Sequence, residues 1–409
     1  MRFDNVLAVV LARHATKPYV EGGGKAMLDL AHALSDANID TLFFSFNYPS
    51  YSTDYVSSRN HEKYMRFDVK IGLLSQDIVL NTAIGSITSS IVESFIGGVL
   101  VGARYANYIK RSRDKKVCLS FIGNASKYLS LVFKSINNLS RLKEKRVFVL
   151  MQRGELRRLS LRILKPHLII ATSRELAKLA RKVFPEKEIL IEHVYPPIQL
   201  NPSGISRLEI ENMVFRELAD ERFLLYLGRV NYERFPLSML KQLLLTLREV
   251  DKRAKIVIVT IPERRSTEWV KRTKEIARKC HASNNLIVMT RILTNKEKSV
   301  LYSMARGFIF PSSSSSTAIE PPLTVLESIA YGTPIITTGT SSTKEITRFK
   351  QGFVYSKPDE LRVFTDFVLN SNASRNFIKE WAMKNLNYAN FSEKLRSIIF
   401  RVINSPNAT

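Results

Sequence analysis

Short apolar runs of four to six residues recur along the whole chain, and helix-length periodic segments separate them. That alternation is the pattern of parallel α/β sheets, in which each strand is buried on both faces and returns through a helix. In the first half the runs predict strands at 6–11, 41–46, 116–121, 146–151, 168–172 and 188–192, with helices at 24–38, 127–137 and 174–184. In the second half they predict strands at 223–227, 255–260, 285–289, 307–310, 334–338 and 352–355, and helices near 237–250, 266–280, 295–304 and 322–331. The expected fold class is α/β, with two doubly wound, Rossmann-like domains, because 409 residues exceed what one core holds. Tyr195-Pro-Pro197 and Asn201-Pro-Ser-Gly204 mark the boundary region, which extends to Glu221. The expected domains are 1–200 and 201–371, followed by helices at 372–409 that carry Trp381 and Phe391 as anchors for packing back on the N-terminal domain.

The composition excludes several classes. An apolar share of 45% argues against disorder, and Cys118 and Cys280, far apart and outside any metal-type spacing, are expected to be reduced. The chain moves straight from Met1 into an apolar strand without a secretory cleavage pattern, so a cytoplasmic location is expected. The segment 78–102 is apolar in tone, but Asn81, Glu93 and many Ser and Thr residues interrupt it, which fails the requirement for a membrane span. The formal charge of +25 is unevenly placed: residues 101–165 hold 17 basic residues against 3 acidic ones, whereas the rest of the first 200 residues is balanced. Three basic runs in one segment predict contact with an anionic surface, such as the cytoplasmic face of an acidic membrane. No specific nucleic-acid partner is expected, because the runs lack interleaved aromatic residues on a recognisable module.

Chemistry concentrates in Glu320-Pro-Pro-Leu-Thr-Val-Leu-Glu327 and the Ser-Ile-Ala-Tyr-Gly-Thr-Pro that follows. Pro322 suits a first helical position, and Gly332 suits a helix end. The unpaired amides of such a helix start, reached through the serine run 312–316, form an anion site fit for phosphate. Upstream, the strand at 223–227 runs into Gly228-Arg229, with Arg234 five residues on, and arginine forks suit diphosphate oxygens. Gly22-Gly-Gly24 follows the first strand and opens a helix, which lets a ligand approach the backbone. It matches neither the dinucleotide fingerprint nor the P-loop, and a plain flexible turn explains it equally well.

Together these segments resemble the retaining family 4 glycosyltransferases of the GT-B fold, whose two Rossmann-like domains face each other across a cleft. The likeness is strongest over 222–347, where Tyr226-Leu-Gly-Arg-Val, Phe310-Pro-Ser and Pro321-Pro-Leu-Thr-Val-Leu-Glu-Ser-Ile-Ala-Tyr-Gly-Thr-Pro-Ile stand in family order. The stretch 166–198 is similar to the end of the family's N-terminal domain. The resemblance implies a nucleoside diphosphate sugar as donor, with Arg229 and Arg234 on its diphosphate and Leu323 and Thr324 supplying amides. Glu327 would take the ribose hydroxyls, Glu320 would sit by the donor sugar, and the backbone around Arg291-Ile292-Leu293 would meet the base. Gly228, Gly23 and Gly24 would let the donor approach, and Gly22 would lie on the acceptor side.

The chain departs from that pattern in one respect. Six residues separate Glu320 from Glu327 where the family has seven, so Ile319 falls where the first glutamate belongs. Arg234 also replaces the family's usual lysine. The loop at Gln152-Arg-Gly-Glu155 offers no histidine, which leaves His14 as the acceptor-side candidate, while His193 reads as structural. Without a D-x-D pair or a metal-type cluster, the two arginines and the helix amides are expected to neutralise the leaving group with no metal and no cofactor. The competing expectations are a non-catalytic sugar-nucleotide binder, which the six-residue spacing permits, and a nucleic-acid-binding protein, which the charge permits.

Overall fold

The computed structural model describes residue 3 and residues 5–13, 22–47, 54–57, 64–70, 116–123, 142–156, 166–185, 189–198, 216–218, 220–262, 264–314, 319–339, 342–347, 352–370 and 375–404. They form two compact units, Met1–Pro197 together with Tyr388–Thr409, and Ile198–Asn387.

The first unit holds strands β1 (Val6–Arg13), β2 (Asp40–Asn47), β3 (Asp54–Ser57), β4 (Tyr64–Lys70), β5 (Val117–Ile122), β6 (Lys143–Leu150), β7 (Leu168–Ala171) and β8 (Leu190–His193). Their order in the sheet is β3-β4-β2-β1-β5-β6-β7-β8, parallel except for the antiparallel pair β3–β4. Helix α1 (Gly22–Asp36) buries Met27, Leu30, Ala31 and Leu34 as one stripe at helical spacing. A four-residue helix, α2 (Arg153–Leu156), follows β6. Helix α3 (Arg174–Val183) starts where the Ser173 hydroxyl accepts the Leu176 N–H at 3.1 Å. Expectation missed β3 and β4. Tyr64-Met-Arg-Phe-Asp-Val-Lys70 alternates instead of running apolar, which suits the margin of a sheet and hides it from a search for buried strands. The expected helix at 127–137 and the segment 78–102 lie outside the described residues.

The second unit holds β9 (Phe223–Leu227), β10 (Lys255–Thr260), β11 (Leu286–Thr290), β12 (Gly307–Phe310), β13 (Ile335–Thr337) and β14 (Gly352–Val354), ordered β11-β10-β9-β12-β13-β14 and all parallel. The connecting helices are α4 (Leu237–Val250), α5 (Arg264–Lys279), α6 (Asn295–Met304), α7 (Leu323–Ala330), α8 (Ser342–Ile346), α9 (Pro358–Asn370) and α10 (Arg375–Leu386). Helix α4 buries Leu240, Leu243, Leu244 and Leu247 against β9 and β10, and α6 opens on a capping box between Thr294 and Glu297. From β9 the chain winds outward to β10 and β11, then returns to the other side of β9 as β12. The switch point between β9 and β12 is where doubly wound sheets place their ligands.

The helices expected at 372–409 divide between the units. Helix α10 packs on α7 in the second, whereas α11 (Tyr388–Asn404) packs on α1 in the first. Phe391, Leu395, Ile398, Ile399 and Val402 face inward along α11, and the Tyr388 hydroxyl donates to Asp36 at 2.8 Å. Neither cysteine forms a disulfide among the described residues, and both are buried, one in each unit. No helix among the described residues is long and apolar enough to cross a membrane.

Candidate functional site: the switch point of the second sheet

Three loops leave the C-terminal ends of β9, β12 and β13, and hydrogen bonds tie them together around Ser312, which is fully buried. The Ser312 hydroxyl donates to Ser314 O at 2.8 Å, and the Thr338 hydroxyl donates to Ser312 O at 2.6 Å. Glu233 O accepts the Ser313 N–H at 2.8 Å and the Ser313 hydroxyl at 3.1 Å. The arginine loop and the serine loop, far apart in sequence, are thereby held side by side.

Each loop has its own internal frame. Gly228 has φ of +150°, a conformation that side-chain-bearing residues rarely adopt, and its N–H donates to Val259 O at 3.1 Å. The Tyr226 hydroxyl donates to Arg229 O at 2.7 Å. Burial pushes that phenol well above its usual range, against a smaller opposite pull from the Arg234 charge. Asn231 Oδ1 accepts the N–H groups of Glu233 at 3.0 Å and Arg234 at 2.7 Å, an Asx turn that fixes the approach to Arg234. Phe235 closes the loop from below, edge-on to Tyr226 and Trp269, and its carbonyl accepts the indole N–H at 2.9 Å. Arg229 and Arg234 themselves are partly exposed.

Helix α7 begins one residue later than expected. Pro322 is its N-cap, and the Pro322 carbonyl accepts the Val325 and Leu326 N–H groups at 3.0 and 3.1 Å. The Leu323 and Thr324 amides therefore precede the helical ladder, and among the described residues nothing accepts from them. The far end closes as a Schellman motif: the Thr333 N–H donates to Ser328 O at 2.9 Å and the Gly332 N–H to Ile329 O at 2.8 Å. Gly332 sits at φ +77°, and a Cβ there would lie 2.7 Å from Arg375 O.

Glu327 is partly exposed, and its Oε2 accepts a hydrogen bond from the Tyr302 hydroxyl at 3.0 Å. Sequence reasoning did not single out Tyr302, because 25 positions separate the partners and no local pattern links them. Asn231 was also missed, although an asparagine three residues before an arginine in a turn is a readable signal. Glu320 lies just before α7 at 2% exposure, joined to Pro321 by a cis peptide bond, with Ile319 buried beside it in sequence. Ile292 follows β11 with 49% exposure, while the neighbouring Arg291 guanidinium pairs with Glu297 of the α6 capping box.

In the first unit, Gly22, Gly23 and Gly24 form the first turn of α1, directly after β1, and β1 lies between β2 and β5 at that sheet's own switch point. His14 lies outside the described residues. Glu155, nine-tenths buried, accepts the Met151 and Gln152 N–H groups at 2.8 and 3.1 Å and so closes the turn after β6. His193 ends β8, with its ring edge-on to Tyr195. Burial first, then the charges of Lys394, Arg174 and Arg181, hold its pKa down at about 3.

Two parallel sheets of this kind define the GT-B class, and comparison with solved structures bears this out. The E. coli trehalose-6-phosphate structure bound with UDP-2-fluoro glucose is 10% identical, with a TM-score of 0.69 over 98% of this chain and 99% of that one. Sucrose-phosphate synthase from Thermosynechococcus elongatus is 12% identical, with a TM-score of 0.68 over 98% and 99%. An Anabaena protein in complex with UDP and glucose is 11% identical, with a TM-score of 0.63 over 97% and 99%. No curated protein matches the sequence. Residues 210–382, nearly the whole second unit, match the family model of the glycosyl transferases group 1.

Proposed function

We propose that this chain is a retaining, metal-independent transferase that moves a sugar from a nucleoside diphosphate donor to a polar acceptor. The observation that carries the reading is the bonding of the Arg229–Arg234 loop to the serine loop at the switch point of the second sheet. The loops that carry the two arginines and the start of α7 with the Leu323 and Thr324 amides leave the C-terminal edge of the same sheet, and an oxygen-rich dianion is the ligand such donors suit. In this reading the arginines and amides neutralise the leaving diphosphate, which takes the acceptor's proton. Glu327 accepts the ribose hydroxyls, the backbone at Ile292 meets the base, and Glu320 contacts the donor sugar. Gly23 and Gly24 let the donor approach, and Gly22 and His14 belong to the acceptor side.

A panel of UDP-, GDP- and ADP-sugars tests the reading, beginning with UDP-glucose because two of the structural neighbours hold UDP with glucose or a fluoroglucose. Turnover with one donor and retained anomeric configuration are expected. Glu327→Ala should weaken nucleotide binding about tenfold or more while the far-ultraviolet spectrum stays unchanged, since it removes a charged hydrogen-bond acceptor. Unaltered affinity would remove Glu327 from the site.

A second reading, a non-catalytic sugar-nucleotide binder, draws on the burial of Glu320 at 2% exposure and on its displaced register. Saturable nucleotide binding without turnover of any donor would favour it. The basic excess at 101–165 further suggests an anionic or lipid-linked acceptor at an acidic membrane. Binding to vesicles of phosphatidylglycerol at low salt, lost in high salt and absent with neutral lipid, is the expected result. No binding at either ionic strength would refute the membrane part.

A further inference from the structure

We propose that Tyr302 is a positioning residue of the donor site: its hydroxyl holds one oxygen of the Glu327 carboxylate and so turns the other toward the ribose hydroxyls. The inference rests on the reading of Glu327 as the ribose acceptor and adds the residue that makes it a selective one.

Four observations support it. Tyr302 is fully buried, and its hydroxyl donates to Glu327 Oε2 at 3.0 Å across the α6–α7 boundary. Its own place is fixed from three sides. The Thr333 hydroxyl donates to Tyr302 O at 2.5 Å, the Tyr331 ring stacks on it at 5.8 Å and 11°, and Phe308 tilts against it at 5.7 Å. The Tyr331 ring is held in turn by a hydrogen bond between its hydroxyl and that of Ser299. Finally, burial and then the Glu327 carboxylate push the Tyr302 phenol well above its usual pKa, so the donor keeps its proton at any working pH.

A glutamate has three side-chain torsions, and the last of them is broad. On a partly exposed helix face, an unheld carboxylate would sample many orientations and lose entropy on meeting a ligand. A rigid phenol that never deprotonates removes that freedom before the nucleotide arrives, and preorganisation of this kind raises affinity without a new ligand contact. If instead Tyr302 merely satisfied a buried edge of the carboxylate, its loss would lower stability and leave ribose recognition alone.

The experiment compares dissociation constants of UDP, GDP and ADP with those of their 2′,3′-dideoxy counterparts, by calorimetric titration, for the unaltered chain and for Tyr302→Phe, Ser299→Ala and Glu327→Gln. The readout is the ratio of ribo to dideoxy affinity for whichever base binds. A loss of folded fraction cancels in that ratio. Tyr302→Phe is expected to weaken the ribonucleotide about three- to tenfold, less than the full worth of a charge-assisted hydrogen bond because Glu327 itself remains, and to leave the dideoxy nucleotide unchanged. Ser299→Ala, which loosens the neighbouring Tyr331 ring but leaves the Tyr302–Glu327 bond in place, should change the ratio far less than Tyr302→Phe. An unchanged ratio in Tyr302→Phe, or an equal fall in Ser299→Ala, overturns the proposal. A ratio that Glu327→Gln leaves intact overturns the underlying reading of Glu327 instead, so the two failures are told apart.

Discussion

Asn231 shows how much a single neutral side chain can do for a charged site. Its one carbonyl oxygen accepts two successive backbone N–H groups and thereby fixes the path that delivers Arg234. In Asn231→Ala both amides lose their acceptor, which costs about 1 kcal/mol by analogy with the loss of a helix cap. The effect should appear as a melting temperature of the second unit about 2–4 °C lower and a donor-nucleotide affinity about fivefold weaker, measured by calorimetry and titration. An equal loss in a variant that keeps the acceptor, Asn231→Ser, would show that something other than the turn is responsible. Asn231, though missed, carries a turn signal that the sequence displays, whereas Tyr302 carries none. Turn chemistry is local and written in consecutive letters, but a contact between two helices depends on packing that no window of sequence contains.

Among the elements, those buried on both faces were the most legible. The second-unit strands at Phe223–Leu227, Lys255–Thr260 and Gly307–Phe310, and the helix Leu237–Val250, fall where the apolar pattern put them, because a continuous run bounded by turns admits few other assignments. Strands β3 and β4 escaped for the opposite reason, as alternation with polar residues carries little signal on its own. The start of α7 moved by one residue because proline serves at the N-cap as well as one position further in. Helix α11 matters most for stability in this group, since its five inward side chains complete the core beside α1. Leu395→Ala should cost about 2–5 kcal/mol, the usual range for emptying a buried leucine site. The loss should appear in the unfolding of the first unit alone, with nucleotide affinity little changed, because Arg229, Arg234, Glu327 and the start of α7 lie in the second.

For the whole molecule, two units with separate cores imply two unfolding transitions, and acid should separate them. His167 and His193 both lie in the first unit. Burial, with Arg146, Lys145 and Lys143 nearby, holds His167 at about 4, and burial with Lys394, Arg174 and Arg181 holds His193 at about 3. An unfolded histidine takes up its proton near 6.5. Between that value and the folded ones, the unfolded chain binds protons that the folded chain refuses, so stability falls as pH drops through this window. Scanning calorimetry at pH 7.5 and 5.0 should show the first unit's transition moving down more than the second's. His193→Gln should flatten that dependence, and an identical slope in the variant would contradict the assignment.

The crossing of α11 back to the first unit also has a consequence for how the protein is made. A chain emerging from the ribosome releases its N-terminal residues first, and such segments ordinarily fold while synthesis continues. Here the stripe of α1 that α11 covers must wait until residues 388–404 have been added, after the entire second unit. Throughout translation the nascent first unit carries an uncovered apolar face, which makes it the natural client of a chaperone. A premature stop between residues 388 and 404 would damage the beginning of the protein rather than its end.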